Sequence, residues 1–143
     1  MTEFKPNALT FQQGIERIDN ALKQVGLEFG KEIITSRDEK VMKAQDLLET
    51  KNVPKGFKKW QLPIFLSSPS QMFISVSPPD IEVPEHSHDE GAGVRYISSG
   101  SILYKGKHLG PGDWMYIPAG KKYDFKVGPY GVTMCYCYCC CCA

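Results

Sequence analysis

The first 134 of the 143 residues contain no cysteine. A disulfide framework spreads its cysteines along the chain so that each bridge closes a loop, and this distribution excludes one. No stretch approaches the ~18 consecutive apolar residues of a membrane-crossing helix, and Met1-Thr2-Glu3-Phe4-Lys5-Pro6 lacks the apolar run of a secretory signal. Charge of a single sign is missing too: seventeen Lys and Arg stand against sixteen Asp and Glu. That balance removes the basic footprint of a nucleic-acid binder or a membrane-surface protein. The expectation is a cytoplasmic chain of single-domain size, with no nucleic-acid and no membrane partner. Histidine is scarce as well, three in all, and His86 and His88 are separated by one residue.

What is present changes period along the chain. Thr10 and Gln13 fit a capping box, and Phe11, Ile15, Ile18, Leu22, Val25 and Phe29 recur at spacings of four and three, which predicts an amphipathic helix ending near Gly26 or Gly30. A second box, Ser36 with Glu39, predicts a helix to about Thr50, stopped by Asn52-Val53-Pro54. From Phe57 the period becomes two. Strands are predicted over residues 58–66, 71–76, 94–99, 101–104, 114–117, 123–127 and 132–138, with turns at Ser67-Ser68-Pro69-Ser70 and Lys105-Gly106-Lys107. Strands at this spacing make a barrel or sandwich. The organisation read from this is an N-terminal helical segment (1–56) packed on the barrel, a β-barrel (57–138) and a cysteine-rich tail (139–143). A homodimer contact is the second use of the helical stripe.

His86 and His88 share a face if their segment is extended, since side chains on a strand alternate. Five acids, Asp80, Glu82, Glu85, Asp89 and Glu90, flank them without a basic residue, a field that favours a cation. The alternative is a solvated acidic loop with two incidental histidines. Downstream lie Gly93, Gly100, Gly112, Pro118, Gly120 and Tyr123.

Over residues 60–138 these positions resemble the cupin superfamily. Its first motif, G-x5-H-x-H followed by Glu and Gly, is matched by His86, His88 and Gly100, with Gly93 in the glutamate column. Its second, G-x5-P-x-G-x2-H, is matched by Gly112, Pro118 and Gly120, with Tyr123 in the histidine column. The resemblance implies a mainly β fold, an antiparallel cupin-type barrel (double-stranded β-helix, or jelly roll) carrying two N-terminal α-helices, and a metal in the barrel mouth.

Several site roles follow as expectations. If the segment stays extended, Glu90 joins His86 and His88 as a facial set for a divalent transition metal, Fe(II) first, with Zn, Mn, Ni or Cu as alternatives; the competing reading places Glu90 on the surface, because Gly91-Ala92-Gly93 bends the chain. Tyr123 is expected to donate a hydrogen bond or line the pocket rather than ligate, its phenol having an ordinary pKa of about 10. Arg95 shares parity with Gly93, so it faces inward and holds the charge of a small anionic molecule; the alternative is an outward side chain after a bulge. His108 is expected exposed, and Met72, Phe73, Trp114 and Tyr116 as lining or packing.

All six cysteines, Cys135, Cys137, Cys139, Cys140, Cys141 and Cys142, fall in the last nine residues. Up to Tyr138 they alternate with tyrosines, which predicts a last strand with small buried thiols; beyond it, packing gives no rationale and soft-metal binding is the chemistry thiolates favour. Three functions remain open. They are an oxygen-using, dioxygenase-like oxidoreductase acting on a small anion, a non-catalytic cupin that binds a small molecule or metal, and a carrier for the cysteine tail.

Overall fold

The computed structural model describes residues 9–66 and 70–139; Ser67, Ser68, Pro69, Cys140, Cys141 and Cys142 lie outside the described residues. In chain order the elements are α1 (Phe11–Gln24), β1 (Ile34–Thr35), α2 (Glu39–Asp46), β2 (Glu49–Thr50), β3 (Lys59–Trp60), β4 (Gln71–Ser77), β5 (Glu82–His86), β6 (Gly93–Tyr104), β7 (Lys107–Leu109), β8 (Trp114–Ile117) and β9 (Tyr123–Tyr138). They divide between two compact units. One takes the described residues up to Phe29 together with Asp38–Phe65; the other takes Gly30–Arg37 and the described residues from Leu66 on. No helix among the described residues is long and apolar enough to cross a membrane.

In the helical unit, Thr10 caps α1 through the expected reciprocal pair: its hydroxyl accepts from the Gln13 amide at 3.1 Å, and the Gln13 side chain accepts from the Thr10 amide at 2.9 Å. Gly26, at φ 77°, ends the helix in the left-handed region that a side chain disfavours. Ile18, Ala21 and Leu22 pack with Ala44 and Leu48, and Phe29 stacks on Phe65 at 4.2 Å. Two expectations are corrected here. Asp38, not Ser36, is the N-cap residue of α2, which ends at Asp46; Ser36 is drawn instead to Asp113, 2.9 Å away. Residues 58–66 do not form a barrel strand either. Lys59 and Trp60 pair with Thr50 and Glu49 in a two-stranded sheet, and Pro63, which cannot donate to a ladder, lies beyond its end.

The β unit is built on two long antiparallel strands. β6 and β9 pair from Gly93↔Tyr138 to Leu103↔Lys126 with register shifts in the middle. At one end β4 adds to β9 while β8, then β1, add to β6; at the other, β5 adds to β9 and β7 adds to β6. This single seven-stranded antiparallel sheet, organised on one long, bent strand pair, has the jelly-roll arrangement that the cupin resemblance implied. The bend needs glycine: at Gly100, φ 71°, a Cβ would run into the Gly131 carbonyl. Lys105 and Gly106, both at positive φ, close the β6–β7 hairpin. Its core includes Ile97, Ile102, Leu109, Met115, Ile117, Val127 and Met134.

The bend also changes which residues face inward. On β9 Tyr123, Phe125 and Val127 are buried before it, and Val132, Met134, Tyr136 and Tyr138 after it. The parity therefore switches between Val127 and Val132, and the expectation of buried Cys135 and Cys137 is corrected: the tyrosines fill the interior and the thiols stand half-buried on the opposite face. Met72, opposite Cys137, also faces outward and is 71% exposed. Trp114 and Tyr116 are buried, and His108 is exposed, as expected.

Candidate functional site

The residues that gather at one end of the β unit come from β5, β6, β9 and the segment after β5. His86 is the last residue of β5 and lies opposite Tyr123, their ring centroids 4.6 Å apart. Its Nδ1 lies 2.8 Å from the Pro84 carbonyl; a carbonyl only accepts, so Nδ1 carries a proton. His88 follows the strand. Its carbonyl accepts from the Gly120 amide at 2.9 Å, so the Pro118-Ala119-Gly120 corner holds it in place. The two imidazoles meet edge to face with centroids 5.1 Å apart.

Arg95 is the centre of the cluster. Its parity on β6 turns it inward, as expected, and it is 8% exposed. Nε and Nη2 donate to the Tyr123 hydroxyl at 3.2 and 2.9 Å. The guanidinium carbon lies 4.1 Å from the centroid of Tyr136, its partner across the β6–β9 ladder, and 5.3 Å from that of Phe125. Stacking on aromatic faces offsets part of the cost of burying a cation. It does not neutralise it. Among the described residues no carboxylate pairs with Arg95.

Tyr123 accepts twice from Arg95, and its own proton points to His88 Nε2, 3.3 Å away. A neutral imidazole suits that role. Burial lowers the pKa of His88 from its ordinary value, with His86 and Arg95 lowering it further and Asp89 opposing them. Tyr138 completes the wall, 4.7 Å from His88 and stacked on Tyr136 at 5.6 Å. The Tyr136 hydroxyl, in a residue 4% exposed, has no hydrogen-bond partner among the described residues. Burial, then the neighbouring Tyr123, pushes the Tyr136 phenol up, so it stays a neutral donor.

This donor set does not fit the expected metal. Glu90 is exposed at a bend instead of continuing the strand, which removes the shared parity on which the facial set depended; Asp80, Glu82, Glu85 and Asp89 are exposed as well. Gly93 offers no ligand, and a Cβ there would meet the Tyr136 ring and hydroxyl at 2.7 Å, so Tyr136 occupies the space of the glutamate column. In the histidine column, the Tyr123 oxygen is held by a guanidinium. Among the described residues no three His, Cys, Asp or Glu side chains are placed to hold one ion. His86 and His88 are brought together, but beside a buried cation.

Of the sequence-predicted residues, His86, His88, Arg95 and Tyr123 thus converge and Glu90 does not. Sequence reasoning missed Phe125, Tyr136 and Tyr138 as site residues. Gly128 and Gly131, bracketing the place where parity changes, were the signal that assigns the tyrosines to the interior. No protein-family model and no curated protein matches the sequence. Among solved structures the chain is similar to an uncharacterized conserved protein with a double-stranded β-helix domain from Klebsiella pneumoniae, at 21% identity over 53% of this chain and 67% of that one, TM-score 0.45. It is also similar to a protein of unknown function with a cupin-like fold from Ralstonia eutropha (19% identity, 52% of this chain, 49% of that one, TM-score 0.45). A third is a cupin protein from Bacteroides fragilis (23% identity, 54% of this chain, 67% of that one, TM-score 0.39).

Proposed function

We propose that this chain, whose β unit has the cupin fold, is a binding protein for small monocarboxylates, with Arg95 as the anchor. The observation that carries this reading is a guanidinium 8% exposed whose polar partner is the Tyr123 hydroxyl. Leaving such a charge uncompensated costs about several kcal/mol, and a bound anion offsets that cost. A guanidinium has five N–H donors, and Tyr123 takes two N–H bonds. The remaining Nη donors match the two oxygens of a carboxylate. The orphan Tyr136 hydroxyl supplies a further donor and the aromatic walls accept an apolar substituent. One buried positive charge beside neutral imidazole and phenols matches a monoanion; a dianionic phosphate would leave a charge uncompensated.

The test is a thermal-shift and calorimetric comparison of acetate, benzoate and inorganic phosphate against the wild type and Arg95→Leu, with metal analysis of the same preparation. Monocarboxylates should raise Tm in the wild type alone. Equal responses in the two proteins would sink the anchor. Stoichiometric metal that disappears in His86→Ala/His88→Ala would return the site to the oxygen-using metalloenzyme reading.

A further inference from the structure

The strand that lines the anion site turns a different chemistry to its other side. Cys135 and Cys137 are free, half-buried thiols on the outward face of β9. Residues two apart on a strand share a face, so the two thiols stand on the same side of β9. Across the ladder to β4, Cys137 is paired with Met72 and Cys135 with Ile74. Directly opposed residues in an antiparallel pair have Cβ atoms about 4.5–5.5 Å apart, so the Met72 thioether reaches the spot the thiols face. On the other flank the paired residues are Val94 and Tyr96 of β6. Tyr96 brings a phenol, and no carboxylate stands directly across from either thiol.

We propose that Cys135, Cys137 and Met72 form a surface site for monovalent copper, separate from the anion site and independent of it. Two thiolates and a thioether are soft donors of the kind that select Cu(I). Zinc favours four ligands in a tetrahedron, and calcium and magnesium require oxygen. Here, among the described residues, three His, Cys, Asp or Glu ligands are not gathered anywhere. The ion enters as Cu(I), both S–H bonds give up their protons to solvent, two Cu–thiolate bonds and one dative bond from the Met72 thioether form, and nothing is oxidised.

The experiment is an anaerobic Cu(I) titration against the chromophoric chelator bicinchoninate. It uses the chain with Cys139, Cys140, Cys141 and Cys142 all changed to Ser, so that other thiols do not contribute. One Cu(I) per chain should be retained. Adding Cys135→Ser and Cys137→Ser should weaken binding by at least ~100-fold, and adding Met72→Leu by about tenfold, with X-ray absorption showing one sulfur neighbour fewer. In the unaltered chain, one equivalent of Cu(I) should shield Cys135 and Cys137 from iodoacetamide, read by mass spectrometry, which tests the site without any variant having to fold. Loss of all copper in the Cys139–Cys142 variant, or shielding that falls on Cys139–Cys142 alone, overturns the proposal. A Met72→Leu spectrum with unchanged sulfur count removes Met72 from the site.

Discussion

Arg37 and Arg95 lie in the same unit and are provided for in opposite ways. The Arg37 side chain is 57% exposed, yet its Nε meets the Asp113 carboxylate at 2.9 Å. That carboxylate also accepts from the Ser36 hydroxyl and the Gly110 amide, each at 2.9 Å. Arg95 is buried, and its guanidinium is hydrogen-bonded to a phenol and stacked on an aromatic ring. A charge placed for stability alone would be distributed the other way, because the penalty for an unpaired ion grows with burial. The Asp113 cluster ties residues 36 and 37 to the start of β8. On the proposed reading, the Arg95 cluster leaves a charge for a ligand to compensate.

The contrast predicts opposite mutational responses. Asp113→Ala strands a hydroxyl, a backbone amide and a guanidinium together, and should cost about 3 kcal/mol; for a chain of this size that lowers Tm by ~10 °C, read by calorimetry. Arg95→Leu should leave Tm unchanged or raise it, since replacing a buried charge by an apolar side chain relieves desolvation, while weakening monocarboxylate binding about 100-fold. A large loss of stability in Arg95→Leu would make Arg95 structural and erase the comparison. Gly93→Ala should act between these extremes. The added Cβ meets the Tyr136 ring, and displacing a packed ring costs about 1–3 kcal/mol, so Tm and carboxylate affinity should fall together.

The smallest effect is that of pH. Burial holds His88 below its ordinary value, with His86 and Arg95 acting in the same direction and Asp89 against them. Above the unfolded value of about 6.5 His88 is neutral in both states and contributes no dependence on pH. As pH falls below that, the unfolded chain takes up the proton first, so stability declines until the folded imidazole is protonated as well. Tm should therefore dip slightly between pH 7.5 and 5.5. His88→Gln should flatten that part of the profile; an identical dip in the variant would assign it elsewhere.

How much of this was readable from the sequence depends on how far away each partner lies. The Thr10 capping box is local and forms as expected, whereas Ser36 carries the same signature and loses it to Asp113, 77 residues on. Arg95 was placed correctly because β6 is regular from Gly93 to Ile97, where residues 93, 95 and 97 are buried in turn. Glu90 was misplaced for the reason its alternative supplied, the bend before Gly93. The cysteines and tyrosines were assigned to the wrong sides because alternation gives two faces without saying which is inside. Only the parity change between Val127 and Val132 decides that, and it is fixed by contacts between distant glycines.

The central position of β9 also governs the order in which the protein can assemble. β4, β5 and β6 all rest on it, through pairs such as Gln71↔Tyr138, Val83↔Phe125 and Gly93↔Tyr138. On the ribosome these three strands emerge before the strand that joins them, and closing such long loops is slow compared with forming a helix. During that interval Met72, Ile74 and Val76, which remain exposed even in the finished fold, belong to a segment with no ladder to join. Nascent chains paused between Ser77 and Tyr123 are therefore the species most in need of a chaperone.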